Sequence, residues 1–212
     1  VNISGNWLAG GTFNINRIFG KNQNFTFDSN SSLNYHNSVD AAEVTTANDD
    51  AWQNVVESTV YNFNVGETLR LNWSLNGWHL GAKLQGNYTR ATSSRENFNV
   101  INAVNHSYSA SARIPLPWEF HFATDLTLYC RDGYNDEQLN TNELVWNARL
   151  ERSILNGNLT FILDGFDILG NLSNVRHSIN AQGITETYYN VVPAYGMLHI
   201  VYKLNIEPKK RK

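Results

Sequence analysis

Nucleophilic catalysis needs an imidazole, a carboxylate and a hydroxyl within hydrogen-bond reach. In this chain His121, Asp125, Ser109 and Ser111 come nearest to that set. His121 and Asp125 stand four residues apart in an alternating run. That puts them on one side of an extended segment about 13 Å apart, too far for a hydrogen bond. Ser109 or Ser111 could face His121 from the preceding run, yet hairpins set polar residues opposite one another as a matter of course. The chain is therefore read as a non-enzyme. Its six histidines, His36, His79, His106, His121, His177 and His199, show no paired metal spacing. The acidic stretch Asp132-Gly133-Tyr134-Asn135-Asp136-Glu137 offers oxygen ligands without the spacing of a calcium loop, and it reads as a solvated loop. Cys130 is the single cysteine, so an internal disulfide is excluded. No cofactor or metal is expected.

The elements that carry these residues have a clear period. In the segment Tyr61–Leu75 the apolar set is Tyr61, Phe63, Val65, Leu69, Leu71, Trp73 and Leu75, and the other phase is Asn62, Asn64, Gly66, Thr68, Arg70, Asn72 and Ser74. Successive side chains of a strand point to opposite faces, so one face is apolar and the other polar. Trp78, Leu80, Ala82, Leu84 and Tyr88 repeat the pattern against His79, Lys83, Gln85, Asn87 and Thr89. Between the two runs Asn76-Gly77 is a strong hairpin signal. Nine strands are expected, at about 6–18, 24–37, 57–75, 78–92, 103–114, 118–131, 142–154, 157–165 and 194–206. No segment has a helical period.

Connections alternate in length. Short turns are expected at Gly20–Gln23, Asn76-Gly77, Pro115–Pro117 and Leu155–Asn158. Long polar loops are expected at Asn37–Gln53, Ser93–Asn102, Asp132–Thr141 and Phe166–Pro193. Membrane barrels sort their loops in this way, with short turns on the periplasmic side. The runs reach the ~9–11 residues that a tilted membrane strand requires. Aromatic residues gather at run ends: Trp73, Trp78, Trp118 and Phe120 by the short turns, Tyr35, Tyr61 and Tyr88 towards the long loops. An interfacial girdle has this form.

Composition agrees. Apolar residues make up 42% and charged residues 17%, where a soluble domain carries about a quarter charged. The net charge of −3 gives no basic patch for nucleic acid. No apolar run approaches the ~20 residues of a membrane helix. The expected fold is an all-β antiparallel transmembrane barrel of about nine or ten strands. Residues 1–206 form the barrel segment, and 207–212 a basic periplasmic tail.

On the water-filled face the reading places Asn14, Asn16, Asp28, Asn30, Arg70, Lys83, Gln85, Arg113, Glu119 and Asp125. On the lipid face it places Leu69, Leu71, Trp73, Leu80, Leu84, Phe120, Phe122 and Leu126. A polar interior of this kind suits a wide barrel rather than a small, filled one. Nine strands put both terminal strands in one direction, whereas single-chain bacterial barrels have even strand numbers. The chain is thus expected to be part of a larger barrel. A hairpin within 178–192, using Ile184–Tyr189, is the shortest route to ten strands.

The last third carries a more specific likeness. Trp146-Asn147-Ala148-Arg149-Leu150, a short turn, then Leu159-Thr160-Phe161-Ile162-Leu163-Asp164-Gly165-Phe166-Asp167-Ile168-Leu169-Gly170 resembles the penultimate hairpin of TonB-dependent receptor barrels. Asp167-Ile168-Leu169-Gly170 matches their Asp-led step from strand to loop. Val192-Pro193-Ala194-Tyr195-Gly196-Met197-Leu198 and Val201-Tyr202-Lys203-Leu204 are similar to the closing strand, though Ala194 replaces the arginine after proline and Leu204 or Ile206 the terminal aromatic. The nearest likeness is to the outer-membrane barrels common in Bacteroidetes, related to SusC-type receptors. The resemblance implies nutrient transport across the bacterial outer membrane. It also implies outer-membrane lipid, the rest of a larger barrel with its plug, the TonB system and a surface lipoprotein as partners. The alternatives are a non-transporting structural or assembly barrel, and a soluble all-β binding domain.

Overall fold

The computed structural model describes residues 4–43, 55–96, 98–180, 183–190 and 192–204. Among them there is no α-helix. The strands are β1 (Trp7–Phe19), β2 (Phe25–Glu43), β3 (Val55–Leu75), β4 (Trp78–Ser93), β5 (Ile101–Leu116), β6 (Phe120–Asp132), β7 (Asn142–Ile154), β8 (Leu159–Phe166), β9 (Val175–Asn180), β10 (Gly183–Tyr188) and β11 (Tyr195–Tyr202). Nine of them form one antiparallel sheet in the order β1-β2-β3-β4-β5-β6-β7-β8-β11, matching the nine expected strands. The hairpin expected within 178–192 exists as β9 and β10. It pairs only with itself, as a separate two-stranded ribbon, and adds no strand to the main sheet. The end of the last expected strand, residues 205–206, and the basic tail 207–212 lie outside the described residues, as do 44–54 of the first long loop.

The main sheet is open. β1 and β11 are its two edges and do not pair with each other, so the expected closed barrel is not formed by these strands alone. The shape is nevertheless that of a tilted wall. One row of paired residues crosses the sheet through Phe19, Phe25, Trp73, Leu80, Ala112, Thr124, Ala148, Gly165 and Gly196. The β1–β2 ladder ends on that row, at Phe19 and Phe25. The β3–β4 ladder ends two residues below it, at Leu75 and Trp78. The β5–β6 ladder ends four below, at Leu116 and Phe120, and the β7–β8 ladder six below, at Ile154 and Leu159. The stagger is uniform, one residue per strand. With about 3.3 Å per residue and 4.8 Å between strands it tilts the strands by about 35°, the value that barrel closure requires.

Turn chemistry explains the hairpins. Asn76 and Gly77 both have positive φ, 50° and 82°, the conformation that matches strand twist in a two-residue turn. β5 and β6 join through a 3₁₀ turn, Pro117–Glu119, in which Trp118 and Glu119 have φ of 59° and 62°. Glu119 therefore sits in the turn, not on the polar face of a strand starting at residue 118. Proline 117 cannot donate to the ladder, and the chain reverses there.

The two phases separate as expected from alternation. Asn14, Asn30, Thr68 and Gln85 form one cross-strand row, and Asn16, Asp28, Arg70 and Lys83 the next. Asn16 donates to Asp28, and Asn30 donates to Asn14. Arg113 and Asp125 share this face. On the opposite face lie Leu69, Leu71, Trp73, Leu80, Leu84, Phe120, Phe122 and Leu126, with Leu71, Leu80 and Leu84 more than two-fifths exposed and nothing packed over them. The few buried apolar residues gather instead at the long-loop end of the polar face. Val60 and Ala91 are covered by Phe98, and Ala103 by Tyr134 and Leu139, with Ile101 between.

Candidate binding cleft on the polar face

Towards the short turns the polar face holds a cleft of about 580 Å³, lined by side chains that include Asn72, His79, Ser111, Arg113, Asp125 and Arg149. A single row positions its ionic groups: Ser74, His79, Arg113, Ala123, Arg149, Asp164 and Met197 are successive cross-strand partners. The turn at Asn156-Gly157 sets the β7–β8 register and so brings Arg149 opposite Asp164. Arg149 grips that carboxylate with two donors, Nε to Oδ1 at 2.5 Å and Nη2 to Oδ2 at 3.0 Å. His199, diagonally placed on β11, approaches Oδ2 at 3.1 Å. Asp164 is 3% exposed, while Arg149 and His199 remain about half open to the cleft. A fork of this kind is directional and strong, because each guanidinium N–H meets its own lone pair.

The neighbouring row is polar but mostly neutral. Asn147 donates to Asp125 at 2.8 Å, and its carbonyl oxygen accepts from the Asp167 backbone N–H at 2.9 Å. Asp167, 4% exposed, accepts from the N–H groups of Asn171 (3.1 Å) and Leu172 (3.0 Å). The Asp167-Ile168-Leu169-Gly170 step is thus a carboxylate-capped turn that satisfies backbone donors just beyond β8. His79 bonds Ser74 through Nδ1 at 2.8 Å. Arg113 makes no hydrogen bond or ion pair to another described residue.

The expected catalytic juxtaposition does not form. The register puts His121 opposite Pro115 and Glu151, while Ser111 faces Asp125 and Ser109 faces Thr127. No hydroxyl is set against the imidazole. The acidic stretch is also not a cation loop. Asp136 caps the Glu137–Leu139 turn by accepting from the Gln138 N–H (3.0 Å), and Asp132 meets His106 (2.9 Å). Tyr134 bonds Asn105, and Asn140 holds the Tyr134 backbone at both its N–H and C=O. Among the described residues no group of three or more His, Cys, Asp or Glu side chains is placed to hold a metal ion.

Of the polar-face residues expected from sequence, Arg113 and Asp125 line this cleft, and so do His79, Ser111 and the apolar-face candidates Trp73 and Leu80. Arg70, Lys83, Asp28, Asn16, Asn14, Asn30 and Gln85 lie on the same face but do not line it, and Glu119 lies outside it in its turn. Arg149, Asp164 and His199 were not singled out. The Asn-Gly turn contains the signal: once residues 154 and 159 pair, counting back along both strands pairs 149 with 164. No protein-family model matches the chain, and no curated protein or solved structure matches it either.

Proposed function

We propose that the chain is part of the wall of a bacterial outer-membrane barrel of TonB-dependent-receptor type, with its apolar face on lipid and its polar face on an aqueous nutrient path. The observation that carries this reading is the uncovered apolar face of a sheet built at barrel stagger. A soluble sandwich buries that face against a second sheet. Here Leu71, Leu80, Leu84, Leu163 and Leu198 stand 42–63% exposed.

Dimensions support it. On the apolar face Phe25 and Tyr35, Trp73 and Phe63, and Trp78 and Tyr88 bracket their strands with aromatics ten residues apart. Ten residues at a tilt of about 35° rise about 27 Å, close to the ~25 Å apolar band of outer-membrane barrels. The upper aromatics touch in series, Trp7 to Tyr35 at 5.1 Å and Tyr35 to Tyr61 at 6.5 Å. Charged residues on that face lie near its ends. Arg17 and Arg152 lie near the short turns, the latter 4.9 Å from the Phe120 ring, and Arg90 and Asp132 lie near the loops. Within the band Glu67 is held by the hydroxyls of Ser29 (2.9 Å) and Ser31, which satisfies a carboxylate that lipid would leave bare.

The test is depth-resolved quenching. Cysteines at Leu84 and Gln85, labelled with a fluorophore in vesicles of brominated phospholipid, report neighbouring residues of opposite phase. Strong quenching at 84 and little at 85 is expected. Equal or inverted quenching, or a protein monodisperse without detergent, overturns the membrane reading. The transport half is tested separately by the complete reading frame, which should encode a plug and a TonB-contacting segment.

A further inference from the structure

We propose that the gap over Ala123, between the guanidinium groups of Arg113 and Arg149, binds an oxyanion: the carboxylate or phosphate of a solute held against the polar face. The proposal rests on that face being wet, as argued above.

His79, Arg113, Ala123, Arg149 and Asp164 form one cross-strand row. Arg113 and Arg149 are separated by one strand, so their Cα atoms are about 9.6 Å apart. The residue between them is an alanine, whose methyl group leaves the space above it open. Two long side chains that flank a short one can both reach its midpoint. Arg149 spends one edge of its fork on Asp164 and keeps its remaining N–H groups free of protein partners. Arg113 keeps all five donors. Guanidinium groups are planar forks matched to the two oxygens of a carboxylate or phosphate.

The surroundings favour a single negative charge. Asp125 faces the cleft but is turned onto Asn147, and Asp164 is occupied by Arg149 and His199. Glu151 stands two residues from Arg149 on the same face, and the three carboxylates would oppose a densely anionic ligand. Ser111 and Asn72 add neutral hydrogen-bonding groups to the wall. On the same face Arg70 and Lys83 stand directly opposite each other, with Asp28 the partner of Arg70 on its other side. Allowing for the stagger, Arg70, Lys83, Arg113 and Arg149 fall within about three residue steps of one level. At that level they are interleaved with Asp28, Asp125 and Asp164.

The experiment uses the full chain in detergent micelles. Arginine Nε–Hε resonances are followed while sodium phosphate or sodium acetate is added at constant ionic strength. Saturable shifts of the Arg113 and Arg149 signals are expected, with the tighter of the two anions identifying a phosphorylated or a carboxylated solute. Arg113→Gln should weaken binding about tenfold or more, because a charged hydrogen-bond partner is lost. Arg113→Lys should retain part of it, and Ala123→Leu should fill the gap and abolish it. Shifts that stay linear, or that persist in Arg113→Gln and Ala123→Leu, overturn the proposal. Quenching of the 84 and 85 labels in brominated-lipid vesicles separates its failure from failure of the membrane reading.

Discussion

The two ends of the polar face are built from the same alternation but differ in what covers them. Near the short turns the face is open. Its ionic groups are either paired, as in Arg149–Asp164–His199, or exposed, as in Arg113. Near the long loops the same phase carries Val60, Ala91 and Ala103, and the β4–β5 and β6–β7 loops fold inward over them with Phe98, Tyr134 and Leu139. Leu139 is 2% exposed in a sheet that otherwise has little interior. Alternation therefore tells which residues share a side, and the loops decide whether that side is wet. The loop end is narrowed by a small apolar cap, and the turn end is left polar and accessible.

The strongest expected effect is at the cap. Leu139→Ala should destabilise the inward fold of the β6–β7 loop by roughly 2–4 kcal/mol, the usual range for emptying a buried leucine site. Faster amide exchange at Tyr134, Leu139 and Asn140, with β3–β4 unchanged, would mark the cap as a local unit. Simultaneous loss of protection across the sheet would instead make the two ends one cooperative core.

At the other end Asp164→Ala removes the carboxylate that Arg149 and His199 share. A loss of roughly 1.5–3 kcal/mol is expected, towards the lower figure because Arg149 is half exposed and water can replace part of the contact. The midpoint of urea unfolding in lipid vesicles measures it, and an unchanged midpoint would mean that the fork serves ligand contact alone. Asp167→Ala should cost about 1 kcal/mol by leaving the Asn171 and Leu172 N–H groups uncapped. Exchange at those two amides should rise without change on β7. The smallest effect is expected from Ser29→Ala or Ser31→Ala, about 0.5–1.5 kcal/mol each. Each removes one of the two hydroxyls that hold Glu67 on the apolar face. A gain in stability instead would show that the carboxylate needs no clamp.

Much of this architecture was legible in the residues. Period two, Asn76-Gly77 and the short-turn spacing locate all nine strands of the sheet, because strand faces and tight turns are local consequences of side-chain type. The ladder between β2 and β3 runs further than the alternation indicated. Beyond Asn37 the ladder continues from Ser38 to Glu43, where the alternation no longer marks a strand. Glu119 was misplaced because the positive φ at Trp118 and Glu119 has no marker in those residue types. The fork at Arg149 and Asp164 needed pairing arithmetic across a turn, not a motif. The cap was hidden because Phe98, Tyr134 and Leu139 lie in polar loops, where burial depends on what the chain folds over. Pairing across β5, β6 and β7 likewise moved Ser109 and Ser111 away from His121.

The odd number of strands in the sheet has a geometric consequence. β1 and β11 run in the same direction, so the two free seams present matching polarity. Two copies of the chain held upright in one membrane would meet seam to seam with parallel strands, losing the alternating ladder that joins every pair within the sheet. A ring with antiparallel pairing throughout calls for a complement with an odd count of its own. For the barrel proposed above, that requirement would make self-assembly a poor route to closure and a dissimilar neighbour the fitting one.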